Sequence, residues 1–150
     1  MKKTTLYLAT IILLLTTQAA LAQPKASLNH IALYVVDLKA STNFYTTVVG
    51  LDTIPEPFHD GHHTWLSVGP KAHLHLISGA QSKTDHDKNA HLCFSVASVE
   101  AFVAGLKKNH IEYENWAGEK NAITKRVDGV NQVYFKDPDG YWVEVNDARE

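Results

Sequence analysis

The chain has 150 residues, 45% of them hydrophobic, with 14 Lys and Arg against 16 Asp and Glu for a formal net charge of -2. That length suits one domain with room for a real core, and the mildly acidic balance excludes the basic excess needed to grip nucleic acid or an anionic membrane surface. A single cysteine, Cys93, excludes an intrachain disulfide.

At the start of the chain, Lys2 and Lys3 precede an apolar run from Leu6 to Leu15, and Ala20, Leu21 and Ala22 form a small-x-small pattern. This is the signature of a secretory signal peptide over residues 1–22, which places the remaining chain, 23–150, in the periplasm or outside the cell. The run falls short of the roughly 20 apolar residues that span a bilayer, so no stable membrane anchor is expected. Loss of Lys2 and Lys3 leaves 12 basic against 16 acidic residues, a formal charge of -4.

The remainder contains an internal echo. Asn29-His30-Ile31-Ala32-Leu33-Tyr34-Val35-Val36-Asp37 aligns with Ala90-His91-Leu92-Cys93-Phe94-Ser95-Val96-Ala97-Ser98. In each copy a His opens an apolar strand, and a capping residue, Asp37 or Ser98, follows seven positions later and starts a helix. The spacing predicts helices over Ser41 to Val49 and Val99 to Asn109, then short strands beginning near Leu51 and Ile111. Thr64 to Val68 and Ala72 to Ile77 read as a hairpin around Gly69-Pro70, and Val130 to Lys136 and Tyr141 to Asn146 as another around Asp137-Pro138-Asp139-Gly140, whose composition suits a type I turn. The expected fold is α+β: two βαβββ modules, about 28–78 and 90–147, joined by a polar linker from Ser78 to Asn89 and forming a curved mixed sheet around a cleft. Loops at Glu56 to Gly61 and Trp116 to Asp128 are the segments expected to move most.

Alternation along the strands separates core from site. Ile31, Leu33 and Val35 share one face and leave His30 on the other; Leu74 and Leu76 leave His73 and His75 opposite; Leu92, Phe94 and Val96 leave His91 opposite; Val143 and Val145 leave Glu144 opposite with Trp142 and Asn146. One strand histidine is usually just a satisfied polar residue. Here each half places a candidate ligand in its first strand and another in its last, and imidazole with carboxylate suits zinc, nickel, cobalt, manganese or ferrous iron with positions left for substrate.

These residues resemble the vicinal oxygen chelate superfamily, which includes glyoxalase I, fosfomycin-resistance thiol transferases, extradiol dioxygenases and bleomycin-resistance proteins. The resemblance is carried by Leu28-Asn29-His30-Ile31-Ala32-Leu33, by His91-Leu92-Cys93-Phe94-Ser95-Val96 and by Tyr134-Phe135-Lys136-Asp137-Pro138-Asp139-Gly140-Tyr141-Trp142-Val143-Glu144-Val145. It implies paired βαβββ modules, one divalent metal ion held by His30, His91 and Glu144, a small-molecule substrate that chelates the metal through two neighbouring oxygens, and a homodimer in some members. A fourth ligand of the glyoxalase I type falls on His75, where the family pattern has Glu. Glu144 and His75 are the candidate catalytic groups.

The expected function is that of an exported glyoxalase I-type lyase or isomerase. The alternatives are a ring-cleaving extradiol dioxygenase, a thiol transferase, or a ligand-sequestering protein without chemistry. Trp65, Tyr134 and Trp142, which alternate away from the apolar faces, and the basic pair Lys125 and Arg126 are candidates for substrate binding. His59, His62 and His63 beside Asp60 form a His-rich tract that reads first as a surface loop, with His63 and Trp65 able to reach the cleft by alternation.

Overall fold

A computed structural model of the chain describes residues 25–149, so the expected signal peptide, residues 1–22, lies outside the described residues. The first half runs β1 (His30–Val35), α1 (Leu38–Phe44), a π-helical turn (Tyr45–Val49), β2 (Thr53–Ile54), β3 (His63–Ser67) and β4 (His73–Ser78). The second runs β5 (His91–Ser95), α2 (Val99–Lys108), β6 (Tyr113–Glu114), β7 (Thr124–Lys125), β8 (Asn131–Lys136) and β9 (Trp142–Asn146). Both are mixed sheets: β1-β4-β3-β2 with β1 parallel to β4, and β5-β9-β8-β6 with β5 parallel to β9 and β7 added on β8.

Both helices start where the sequence places their caps. Asp37 Oδ1 accepts from the Ala40 amide at 3.0 Å, and Ser98 Oγ accepts from the Ala101 amide at 3.2 Å. The first helix widens into a π turn where the hydroxyls of Thr46 and Thr47 bond back to carbonyls of Thr42 and Asn43. It ends at Gly50, whose φ of 87° is a left-handed conformation that glycine adopts without cost.

The apolar strand faces and helices pool into a single core that takes Leu33, Val35, Leu74 and Leu76 from one sheet and Val133, Phe135, Val143 and Val145 from the other. Phe44 of α1 meets Phe135 of β8 with ring centroids 6.1 Å apart, so the first helix helps cover the second sheet. The β8–β9 turn fastens the halves together. Asp139 accepts from the Val36 amide at 2.7 Å and from Ser41 Oγ at 2.6 Å, and Asp137 accepts from Tyr45 Oη at 2.8 Å. No helix among the described residues is long and apolar enough to cross a membrane.

Candidate functional site

Each ligand-bearing face lies opposite the core face of its sheet, and each sheet gathers its own cluster. On the first sheet, Trp65 and His75 are cross-strand neighbours on β3 and β4, and their rings stack at 4.2 Å. His30 on β1 stands edge-on to His75 at 5.7 Å between centroids. Asn29 Oδ1 lies 2.7 Å from His30 Nδ1, so that nitrogen donates to the amide oxygen. His75 is only 6% exposed. Its Nε2 lies 2.7 Å from His63 Nδ1, within hydrogen-bond distance, while His63 Nε2 faces Asp60 at 3.4 Å. Burial first, then the neighbouring His63 and His30, lower the pKa of His75 against the opposing pull of Glu56, so its ring stays neutral. The alternation argument therefore holds for His63, which turns into the site while His59 and His62 remain exposed on the loop.

On the second sheet, Glu144 of β9 is flanked in register by Cys93 of β5 and Tyr134 of β8. It is 6% exposed. Tyr134 Oη donates to its Oε2 at 2.5 Å, Asn146 Nδ2 donates to Oε1 at 3.0 Å, and Cys93 Sγ lies 3.4 Å from Oε1. Burial pushes the Glu144 carboxyl up, but the bonds from Tyr134, Asn146 and Cys93 and the adjacent His91 outweigh it and hold the group below its ordinary value. The same surroundings push the Cys93 thiol up to about 12 and the Tyr134 phenol higher still, so both are donors here. His91 donates from Nδ1 to the Lys88 carbonyl at 2.7 Å and points Nε2 at Glu144 Oε2, 3.2 Å away. A backbone carbonyl on one imidazole nitrogen and a carboxylate across from the other is the arrangement that orients a histidine for a metal ion.

The donor chemistry thus fits a divalent cation in both clusters, but the single chain does not join them. Among the described residues no group of three or more His, Cys, Asp or Glu side chains is close enough to hold a metal ion. The sequence leaves open whether such a site forms within one chain or between two. Both sheets contribute their apolar faces to the shared core, and His73 of β4 lines one pocket with His91 and Cys93 of β5. His30 and His75 form one half-site, His91 and Glu144 the other. In the first of these the Nε2 of His75 is engaged by His63.

The remaining candidates fall around the second half-site. Trp142 anchors its indole N–H on the His86 carbonyl at 2.9 Å and carries the ammonium groups of Lys88 and Lys136 over its ring, each 4.8 Å from the centroid. With Tyr134 it lines a cavity of about 260 Å³. Arg126 is held by Asp128 at 2.6 Å, and with Lys125 it borders a groove beside Tyr134. Cys93, which enters the sequence analysis only as the single cysteine, stands two positions after His91 and so on the same strand face. The sequence also left Phe58 and Trp116 unassigned; these loop aromatics lie over His63 and Tyr134, at 4.6 and 5.6 Å between centroids.

Residues 27–145 match the Glyoxalase/Bleomycin resistance protein/Dioxygenase superfamily. The chain is similar to "Glyoxylase I 4" of Arabidopsis thaliana, 28% identical with 79% of this chain and 69% of that protein covered. It is likewise similar to a lactoylglutathione lyase of Pseudomonas putida, 28% identical over 87% of this chain and 90% of that one. Among solved structures, a glyoxalase/dioxygenase from Nostoc punctiforme shares the fold with a TM-score of 0.68 at 24% identity, covering 87% of this chain and 99% of its own.

Proposed function

We propose that this chain, which belongs to the Glyoxalase/Bleomycin resistance protein/Dioxygenase superfamily, is an exported, divalent-metal-dependent enzyme whose metal site is made from His30, His91 and Glu144. The observation that carries this reading is the buried, hydrogen-bonded Glu144 facing the carbonyl-oriented His91. Export rests on the Lys2 to Ala22 segment. The two half-sites are completed by a second copy. This is supported by the open outer edges of β1 and β5, both edge strands, and by the exposed apolar residues Leu28, Ile31, Tyr34 and Val36 along β1. In such a dimer, the His30 face of one copy meets the His91 and Glu144 face of the other.

A bound divalent ion supplies Lewis acidity toward two vicinal substrate oxygens. The protein does the rest. Tyr134, Asn146 and Cys93 hold Glu144 ionised and fixed, and Glu144 is the carboxylate that takes a proton from carbon beside a substrate carbonyl. Trp65 and Trp142 wall the half-sites and exclude water. Proton abstraction and return is the chemistry of a glyoxalase I-type lyase or isomerase. A second reading, ring-cleaving dioxygenation with iron, is favoured by His75, which stands where the lyase pattern has a carboxylate and is paired with His63 as an acid–base group.

The test is turnover by zinc-, nickel- and iron-loaded protein on a hemithioacetal and on a catechol with dioxygen. Hemithioacetal turnover lost in Glu144→Gln supports the lyase. Catechol cleavage with iron, lost in His75→Gln, supports the dioxygenase. If neither substrate turns over with any metal, both catalytic readings fall.

A further inference from the structure

The repeat sets equivalent residues on the two halves, and one cross-strand pair breaks the equivalence. On the first sheet Tyr34 of β1 stands in register with Ile77 of β4; on the second sheet that place is taken by Ser95 of β5 and Asn146 of β9. The break coincides with the change of candidate ligand, because Glu144 stands in the second half where the first has His75. Ala32 and Trp65 flank His75, whereas Cys93 and Tyr134 flank Glu144 and bond to it. Since a tyrosine and an isoleucine pair the strands in the first half, pairing at this place does not call for a hydroxyl and an amide. Asn146 is nevertheless only 6% exposed, and a buried amide is costly unless its hydrogen bonds are made.

Here they are made on both sides. Asn146 Oδ1 accepts from Ser95 Oγ at 3.1 Å and from the Ala148 amide at 3.2 Å. Its Nδ2 donates to Glu144 Oε1 at 3.0 Å and to Cys93 Sγ at 3.1 Å. Turned over, the amide would set oxygen against a carboxylate oxygen and N–H against the Ala148 N–H, so its partners agree on one orientation. Cys93 Sγ, accepting from the amide, keeps its own hydrogen for Glu144 Oε1 at 3.4 Å.

We infer that Ser95 is a positioning residue for the metal site. It makes no hydrogen bond to Glu144; it holds the Asn146 amide with both N–H groups turned on Glu144 and Cys93. The inference rests on the metal-site reading above and extends it to the exposed edge strand β5, from which the grip on Glu144 is set.

The test measures zinc affinity of the full mature protein by competition with a chelator, and solvent exchange of the Asn146 side-chain amide in metal-free protein by nuclear magnetic resonance. Ser95→Ala is expected to bind zinc about threefold to fivefold more weakly, the scale of one neutral hydrogen bond, and to exchange the amide hydrogens faster. Ser95→Thr keeps the hydroxyl and should restore both. Asn146→Ala is expected to weaken zinc by about tenfold, and Ser95→Ala added to it should cost nothing further, because the serine acts only through that amide. A general loss of structure would instead add to the first loss. Zinc bound equally by Ser95→Ala and wild type, or a full further loss in the double variant, overturns the inference and leaves the metal-site reading intact. If the wild type takes up no zinc, the metal-site reading falls, and the hold of Ser95 on Asn146 stands or falls on the exchange rates alone.

Discussion

At the scale of single residues, the account turns on how few bonds fix Glu144. Tyr134 supplies the shortest of them, to the oxygen that faces His91. Tyr134→Phe keeps the ring and its packing and removes only that donor. Outer partners of a metal ligand typically contribute tenfold or more to affinity. The variant is therefore expected to bind zinc about tenfold more weakly in competition with a chelator; equal affinity would show that Tyr134 does not position the ligand. A second residue carries a pH prediction. Burial pushes the Asp137 carboxyl up, against the pull of hydrogen bonds from Tyr45, Tyr141 and Asp139. A carboxyl whose folded pKa exceeds its unfolded value, about 4, binds more protons folded than unfolded in the window above pH 4. Its contribution to stability accordingly falls as pH rises through that window. Asp137→Asn has no proton to lose and keeps Oδ1 as acceptor for the Asp139 and Tyr141 amides. Its urea midpoint relative to wild type is expected to rise from pH 4 to pH 7, whereas a constant difference would contradict the raised pKa.

Among the elements, the β8–β9 turn does the most for the least chain. It closes a hairpin through the Gly140 amide to the Asp137 carbonyl at 3.2 Å, and it presents two carboxylates to the other half. Asp139→Ala strips partners from a backbone amide and a buried hydroxyl at once, and two bonds to a charged acceptor are together worth about 3 kcal/mol. Gly140 has φ of 94°, and a Cβ there would lie 2.3 Å from the Thr84 carbonyl oxygen. Gly140→Ala is expected to cost about 2 kcal/mol or more, the left-handed penalty plus the clash. Both show as lower urea midpoints; unchanged midpoints would mean that the turn does not lock the halves. Alternation, caps and the Asp-Pro-Asp-Gly turn made the strands, both helix starts and this hairpin readable from the chain. The π turn was not readable, because Thr46 and Thr47 bonding back to the helix is a local competition that apolar spacing does not record. Neither was the lock: Asp137 and Asp139 looked like turn residues only, and their partners Tyr45 and Ser41 lie 92 and 98 positions away.

For the whole molecule, the repeat disclosed the candidate ligands but not their grouping. His30, His91 and Glu144 stand on the faces that alternation assigns them, and each His is oriented through its Nδ1. Periodicity tells which side of a sheet a residue takes and is silent on how two sheets face each other. Here the two sheets share one core, and no three candidate ligands among the described residues gather in one place. A site completed between copies makes a sharp prediction for mixed subunits. His30→Ala and Glu144→Ala chains, unfolded together and refolded, should recover about half the zinc of wild type in their heterodimers, because one of the two sites then has both lesions and the other has none. No recovery would place the site within one chain. The most direct test of the metal site itself is the metal content of the purified mature protein and of His30→Ala, His91→Ala and Glu144→Ala. The account predicts about one divalent ion per chain in the wild type and loss of that ion in each variant that still folds. Full occupancy retained in all three folded variants would contradict it.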